Sequence, residues 1–221
     1  MRRISVFGST GSVGQNTVDL IARRPDDFEV VALSGGANVA LLAQQAIALR
    51  AKVAVCAQDQ MLPQLQDLLA GTGVKALAGR EALLDAARMP VDWAMSAIVG
   101  FAGMEVSLAI AQNSATLALA NKESLVCGGA LLQRTCTQHG TRLLPVDSEH
   151  SAIFQCIGGA DKEVERIILT ASGGPFLNSS LQAMEQATPE QAVAHPNWDM
   201  GQRITIDSAS MFNKALEVIE T

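Results

Sequence analysis

Two acidic residues separated by one position punctuate the stretch "LLPVDSEHSAIFQ", where Asp147 and Glu149 flank Ser148. In extended backbone, residues two apart project to the same side, so both carboxylates could grip one divalent cation through hard oxygen ligands. The competing reading is a helix start, with Asp147 or Ser148 capping the segment that follows. A further carboxylate comes much later: in "DSASMFNKALEVIE", Asn213, Lys214 and Glu217 are spaced to share one helix face, and Ser208 lies near its start. Taken alone, Lys214 and Glu217 read as a solvated ion pair. Upstream, "LALANKESLV" sets Asn121, Lys122 and Glu123 just after a β-like run. A trio at a strand's carboxyl end is placed to meet a cofactor; equally, Asn121 caps a helix whose dipole Glu123 favours. Two loops complete the set. "TASGGPF" offers Ser172 beside glycines, either a phosphate or hydroxyl contact or a plain turn. "HPNWDMG" carries His195, Trp198 and Met200 on a proline-bearing loop, the composition of a lid that shuts water out.

These residues need a frame, and the chain alternates to provide one. "ISVF", "FEVVALS", "KVAVC", "VDWAMSAI" and "ATLALA" read as strands, between helical "SVGQNTVDLIARR", "NVALLAQQAIALR", "QMLPQLQDLLAG", "MEVSLAIAQN" and one long "ESLVCGGALLQRTCTQHG". Such βαβ alternation predicts an α/β, Rossmann-like, mostly parallel sheet with helices on both faces, with ligands at the carboxyl ends of the strands. Near "RLLPVDSEH" the rhythm changes. A strand-like "VERIILTAS" runs into glycines and a polar loop, so a boundary is expected after residue 146, with residues 147–221 starting a second α/β unit. The closing helical pattern meets no glycine cap, proline or polar tail, the expectation for a chain cut short within a domain.

The first strand–helix junction, "VFGSTGSVGQ", holds Gly8, Gly11 and Gly14. Glycine permits a tight turn and lets backbone approach a pyrophosphate, whose charge the helix N-terminus stabilises; the spacing is looser than the usual dinucleotide fingerprint, and a bland glycine turn is the alternative. At the end of the second strand, no acid stands between Leu33 and Val39, where NAD binders carry one for the ribose hydroxyl. That favours NADP, although Ala37 occupies the place where a base would help.

Composition removes several classes. Of the 221 residues 48% are apolar and 17% charged, the profile of a globular protein. A net charge of -6 speaks against a nucleic-acid or membrane-surface binder. The four cysteines form no C-x-x-C pair, and no apolar run reaches signal-peptide or membrane length, so reduced thiols in a cytoplasmic protein are expected. With no tyrosine, the Tyr-x-x-x-Lys centre of short-chain dehydrogenases is impossible.

Together, "GSTGSVG", "LANKESLV", "LLPVDSEHSAIFQ", "TASGGPF", "HPNWDMG" and "DSASMFNKALEVIE" resemble, in order, the 1-deoxy-D-xylulose 5-phosphate reductoisomerase family. The resemblance implies an NADPH- and Mg²⁺- or Mn²⁺-dependent enzyme of non-mevalonate isoprenoid synthesis. Such an enzyme isomerises and reduces its sugar phosphate to 2-C-methyl-D-erythritol 4-phosphate, as a homodimer when full length. It implies an NADP-binding domain over 1–146 and part of a catalytic domain over 147–221, the C-terminal helical domain being absent. By resemblance, Thr10, Gly11, Ser12 and Val13 hold NADPH phosphate, Gly36 and Asn38 lie near the adenosine ribose, and Asn121, Glu123 and Gly201 contact the cofactor. Lys122, Ser148, Glu149, Ser172, His195, Ser208, Asn213, Lys214 and Glu217 match substrate-binding positions, with Lys122, Glu149 and His195 the candidates for catalytic work. Asp147, Glu149 and Glu217 match the metal ligands. Two rivals remain. A semialdehyde dehydrogenase would need an activated cysteine, yet Cys127 and Cys156 lie in apolar stretches; a non-catalytic cofactor module would bind nucleotide but no metal.

Overall fold

The structure, a computed structural model, describes residues 1–159, 163–197 and 201–221, with only the backbone of Arg203. Within it the chain forms two compact units, Met1–Asp147 and Ser148–Thr221.

The first unit carries seven strands: β1 (Arg2–Phe7), β2 (Phe28–Gly35), β3 (Val53–Cys56), β4 (Lys75–Ala78), β5 (Trp93–Ser96), β6 (Thr116–Leu119) and β7 (Arg142–Pro145). They pair in the order β4-β3-β2-β1-β5-β6-β7, every pair parallel. Parallel strands covered on both faces read as continuous apolar runs rather than alternating ones, and Ile4, Ser5, Val6 and Phe7 of β1 are all buried. The helices between them are α1 (Ser12–Ala22), α2 (Val39–Ala48), α3 (Leu62–Leu68), α4 (Gly79–Ala87), α5 (Ala102–Asn113), α6 (Glu123–Val126) and α7 (Gly129–His139). Two apolar cores result. One joins Ile4, Val6 and Leu33 to Ile21, Leu42 and Leu65 from α1, α2 and α3. The other joins Phe7, Val31 and Val55 to Leu84, Ile110 and Leu132 from α4, α5 and α7. Strand order reverses between β1 and β5, which are direct neighbours. The loops that follow them therefore open side by side at the strands' carboxyl ends, the crevice where this architecture receives ligands.

The second unit contains α8 (Ser148–Ile157), α9 (Leu181–Glu185), α10 (Pro189–Ala192), α11 (Gln202–Ala209) and α12 (Phe212–Glu220). A complete capping box starts α10, with Thr188 and Gln191 satisfying each other's backbone N–H groups.

Two expectations need correction, and one stretch that carried none forms two elements. The long helix over "ESLVCGGALLQRTCTQHG" is two, α6 and α7, broken at Gly128, where an added Cβ would meet the Met104 side chain at 2.2 Å. The stretch "VKALAGREALLDAA", left unassigned by periodicity, supplies β4 and α4. "VERIILTAS" takes no strand conformation; a strand is made by backbone pairing, and no described residue pairs with this segment.

Candidate functional site

The glycine loop leaves β1 and enters α1 at the switch point. Gly8 sits at φ +89°, and a Cβ there would lie 2.6 Å from the Ala97 carbonyl oxygen; at Gly14 it would lie 2.1 Å from Gly8 O. These two glycines are therefore steric requirements of the turn. Gly11 caps α1 without any side-chain hydrogen bond. The N–H groups of the first turn, at Ser12 and Val13, thus point from a helix start with no side-chain acceptor supplied by the cap, the arrangement that receives phosphate. Thr10 is half-buried while Gly11, Ser12 and Val13 are exposed. Beneath the loop, buried Ser9 donates from Oγ to Gln45 Oε1 (2.7 Å), and Gln45 Nε2 donates to the Ser9 carbonyl (3.0 Å), tying the loop to α2. At the other end of α2, Asn38 accepts from Leu41 N (3.1 Å) as N-cap, and a Cβ at neighbouring Gly36 would meet nothing within 4 Å. Gly36 and Asn38 are exposed, beside the end of β2.

Across the crevice, Asn121 is 2% exposed and saturated. Its Nδ2 shares two hydrogens among Ile98 O (2.8 Å), Gly100 O (2.9 Å) and Glu123 Oε2 (2.9 Å), while Oδ1 accepts from Ser124 N (2.8 Å). The capping role read from sequence holds, and it does more: one side chain joins the loop after β5 to the turn after β6. Lys122, next in the chain, is ion-paired with Asp147, both side chains largely covered.

The second unit gathers most of the remaining candidates. Glu217 on α12 is fully buried, which overturns its reading as a solvated partner of Lys214. Asn213 Nδ2 donates to Glu217 Oε1 at 2.6 Å, and Lys214 Nζ donates to Glu217 Oε2 and, at 2.9 Å, to Glu149 Oε1 on α8. Oxygens of Glu149 and Glu217 lie within 4.8 Å of each other. Two carboxylates so close, one of them fully buried, need a positive charge between them; here the Lys214 ammonium provides it. Burial pushes the Glu149 carboxyl up, but hydrogen bonds from Ser148 and Lys214 and the charge of Lys214 outweigh it and hold it below the usual range. Burial pulls the Lys214 ammonium down, and its bonds to Glu217 and Glu149 more than reverse that, so it sits high. His150, one residue beyond Glu149, ties α8 to the end of α12: its Nε2 is 3.0 Å from Thr221 Oγ1 and its Nδ1 3.5 Å from Glu220.

A pocket of about 40 Å³ adjoins this cluster, walled by Glu149, Ser172, Ser208, Asn213 and Lys214. Glycine lets the wall close. Gly173 and Gly174 have φ of +81° and +63°, and a Cβ on Gly174 would meet Ser208 O at 2.8 Å, so this turn lies against the end of α11. Ser172 Oγ consequently lies 3.0 Å from His195 Nε2 and 3.5 Å from Ser208 Oγ. Gly201 is the exposed N-cap of α11. The lid residues Trp198 and Met200 lie outside the described residues. Sequence reasoning passed over Gln45, Ser96, Ser107 and His150; for Ser107 the available signal was a small polar residue on the apolar face of "MEVSLAIAQN".

A family profile for 1-deoxy-D-xylulose 5-phosphate reductoisomerase matches residues 4–129, and one for the C-terminal domain of that enzyme matches 143–221. Among curated relatives, the 1-deoxy-D-xylulose 5-phosphate reductoisomerase of Ruegeria pomeroyi is 64% identical across the whole chain, and that of Gluconobacter oxydans 58% identical over 99% of it. The chain spans 56% and 54% of those two proteins, just over half their length. A solved reductoisomerase from Zymomonas mobilis in complex with NADPH superposes with a TM-score of 0.91 at 50% identity, covering 99% of this chain and 57% of that one. Another, in complex with NADPH, fosmidomycin and magnesium, gives 0.92 at 38% identity, covering all of this chain and 57% of that one. With the glycine crevice and the buried acid cluster on the same sequence blocks, this chain belongs to the 1-deoxy-D-xylulose 5-phosphate reductoisomerase family.

Proposed function

We propose that the chain is the nucleotide-binding domain and the metal-binding part of the catalytic domain of a reductoisomerase. The enzyme converts 1-deoxy-D-xylulose 5-phosphate to 2-C-methyl-D-erythritol 4-phosphate with NADPH and Mg²⁺ or Mn²⁺, in non-mevalonate isoprenoid precursor synthesis. The observation that carries this reading is the part-buried Glu217–Lys214–Glu149 cluster, with Glu217 fully covered, beside the serine-walled pocket. Its oxygen-rich donor set suits a hard divalent ion, and the buried Oδ1 of Asn213 has no hydrogen-bond partner in the structure. Asp147, two positions before Glu149 in the chain, is the third ligand. An ion there supplies Lewis-acid stabilisation of substrate oxygens, and NADPH in the crevice supplies hydride.

The chain's own groups do the rest. Ser12 and Val13 N–H groups hold the NADPH phosphates, with Thr10 and Gly11 shaping the loop; Gly36 and Asn38 receive the ribose; Asn121, Glu123 and Gly201 border the cofactor. Ser172, Ser208, Asn213 and Lys214 fix the substrate phosphate by hydrogen bonds and charge, with His195 orienting the Ser172 hydroxyl. Ser148, Glu149, Lys122 and Glu217 face the reacting carbons, where Lys122 and Glu149 are the groups able to move a proton. Anchoring at the phosphate end lowers the entropic barrier by several kcal/mol, on the order of what well-oriented intramolecular reactions achieve. Among the described residues no helix is long and apolar enough to cross a membrane. The proposed whole enzyme is a cytoplasmic homodimer.

The test is to incubate full-length protein with NADPH, Mg²⁺ and the deoxyxylulose phosphate while following nicotinamide absorbance. Absorbance should fall, and excess chelator should stop it. Turnover that survives the chelator overturns the metal assignment; nucleotide binding without metal or sugar-phosphate binding supports the non-catalytic module instead.

A further inference from the structure

Behind Asn121 lies a row of hydroxyls that the proposed chemistry never touches. Ser96 at the end of β5, Ser107 in α5 and Ser124 in α6 are all completely buried. Ser107 Oγ lies 2.8 Å from Ser96 Oγ, accepts from Ser124 Oγ at 2.9 Å and donates to Gly103 O at 3.0 Å. Ser124 Oγ, with one hydrogen to give, also reaches Asn121 Oδ1. Gly103 belongs to the same arrangement: a Cβ there would meet Ile98 O at 2.4 Å and Asn121 Nδ2 at 2.9 Å. The end of β5, the middle of α5 and the start of α6 thus meet through buried side chains that bond one another and nearby backbone. Buried polar groups of this kind are costly unless every member is paired, and once paired they specify a single arrangement.

We infer that Ser107, with Ser96 and Ser124, is a positioning residue that acts through Asn121 to hold the loop after β5 and the Lys122–Glu123 turn at the separation the nicotinamide end of the cofactor requires. The inference rests on the NADPH reading above. Asn121 locks the two segments together, its two amide hydrogens shared among Ile98 O, Gly100 O and Glu123 Oε2. The serines keep that amide from turning over, because its oxygen must face Ser124 N and the hydroxyl row.

The test compares full-length wild type with Ser107→Ala and the nearly isosteric Ser107→Cys. Hydrogen exchange of residues 98–104 is measured without cofactor, and NADPH and NADH affinities by fluorescence titration. Exchange should quicken in both variants, and both nucleotides should bind about ten-fold more weakly, since one buried hydrogen-bonding group has been lost. The two losses should be equal, because the row stands away from the adenosine ribose. In turnover the KM for NADPH should rise more than kcat falls. A row that merely adds stability would lower the melting temperature and leave affinity and loop exchange as in wild type, which overturns the inference. Should wild type bind neither nucleotide, the cofactor reading falls, and loop exchange alone then decides whether the serines position the loop.

Discussion

Glu217 shows how much one side chain's surroundings decide. Spaced three residues from Lys214, it looks like any exposed ion pair, yet it is fully buried with Asn213 and Lys214 on its two oxygens. Removing the cation from such a pair leaves buried acids uncompensated, so Lys214→Met should destabilise metal-free protein by about 3–5 kcal/mol. Mg²⁺ should recover much of the loss, as read by thermal unfolding with and without the ion. For the proposed ligands, since substitutions merely beside a metal typically cost 10- to 100-fold, Asp147→Asn and Glu217→Gln should each lower turnover of the full-length protein by at least about 100-fold. The pH dependence follows from the two shifts. Glu149, held low, contributes fully above about pH 4.3 and loses its contribution as pH falls through its own depressed value. Lys214, held high, contributes fully below about pH 10.4 and loses it as pH rises through its raised value. Melting temperatures of metal-free Glu149→Gln should therefore fall less steeply than wild type below about pH 4; identical acid limbs would contradict the pairing.

At the level of elements, the glycine positions separate into necessary and permissive. Gly14→Ala drives a Cβ to 2.1 Å from Gly8 O, and should cost roughly 1–3 kcal/mol of stability together with most NADPH affinity. Gly36→Ala meets open space and should stay within about 0.5 kcal/mol of wild type. Calorimetry and nucleotide titration of the two variants check the contrast. The same elements show what sequence could disclose. The β1–loop–α1 turn was legible because its constraint is local: glycines at fixed spacing after an apolar strand. "VKALA" was not, since a four-residue strand built mainly of alanine and leucine carries helix-forming residues and becomes a strand only by pairing with β3. "ESLVCGG" concealed a break between α6 and α7, beside which Gly128 packs against the Met104 side chain. "VERIILTAS" has strand composition, but composition cannot supply a neighbour. The acid cluster was legible as residue types and illegible as burial, because Lys214 and Glu149 meet only when α8 and α12 come together in the fold.

At the scale of the whole molecule, the described residues form two compact units, and the chain accounts for just over half the length of its matched relatives. Thiol chemistry separates this account from a cysteine-dependent dehydrogenase. Cys127 and Cys156 are exposed, whereas Cys56 and Cys136 are buried and burial pushes both thiols up. Alkylation of native full-length protein should label the first two, spare the second two and leave turnover intact; mass spectrometry with parallel assays reads both outcomes. An acyl-enzyme trapped on Cys127 or Cys156 would favour the dehydrogenase. One proposed cation site, with Asp147, Glu149 and Glu217 as its ligands, carries the proposed function. Anomalous diffraction from Mn²⁺-loaded crystals of the full-length protein tests it directly. One strong peak should appear with carboxylate oxygens of all three residues at about 2.0–2.2 Å, near the distances of hard divalent ions of this size. A well-occupied peak elsewhere, with Glu217 still held by Asn213 and Lys214, would contradict it.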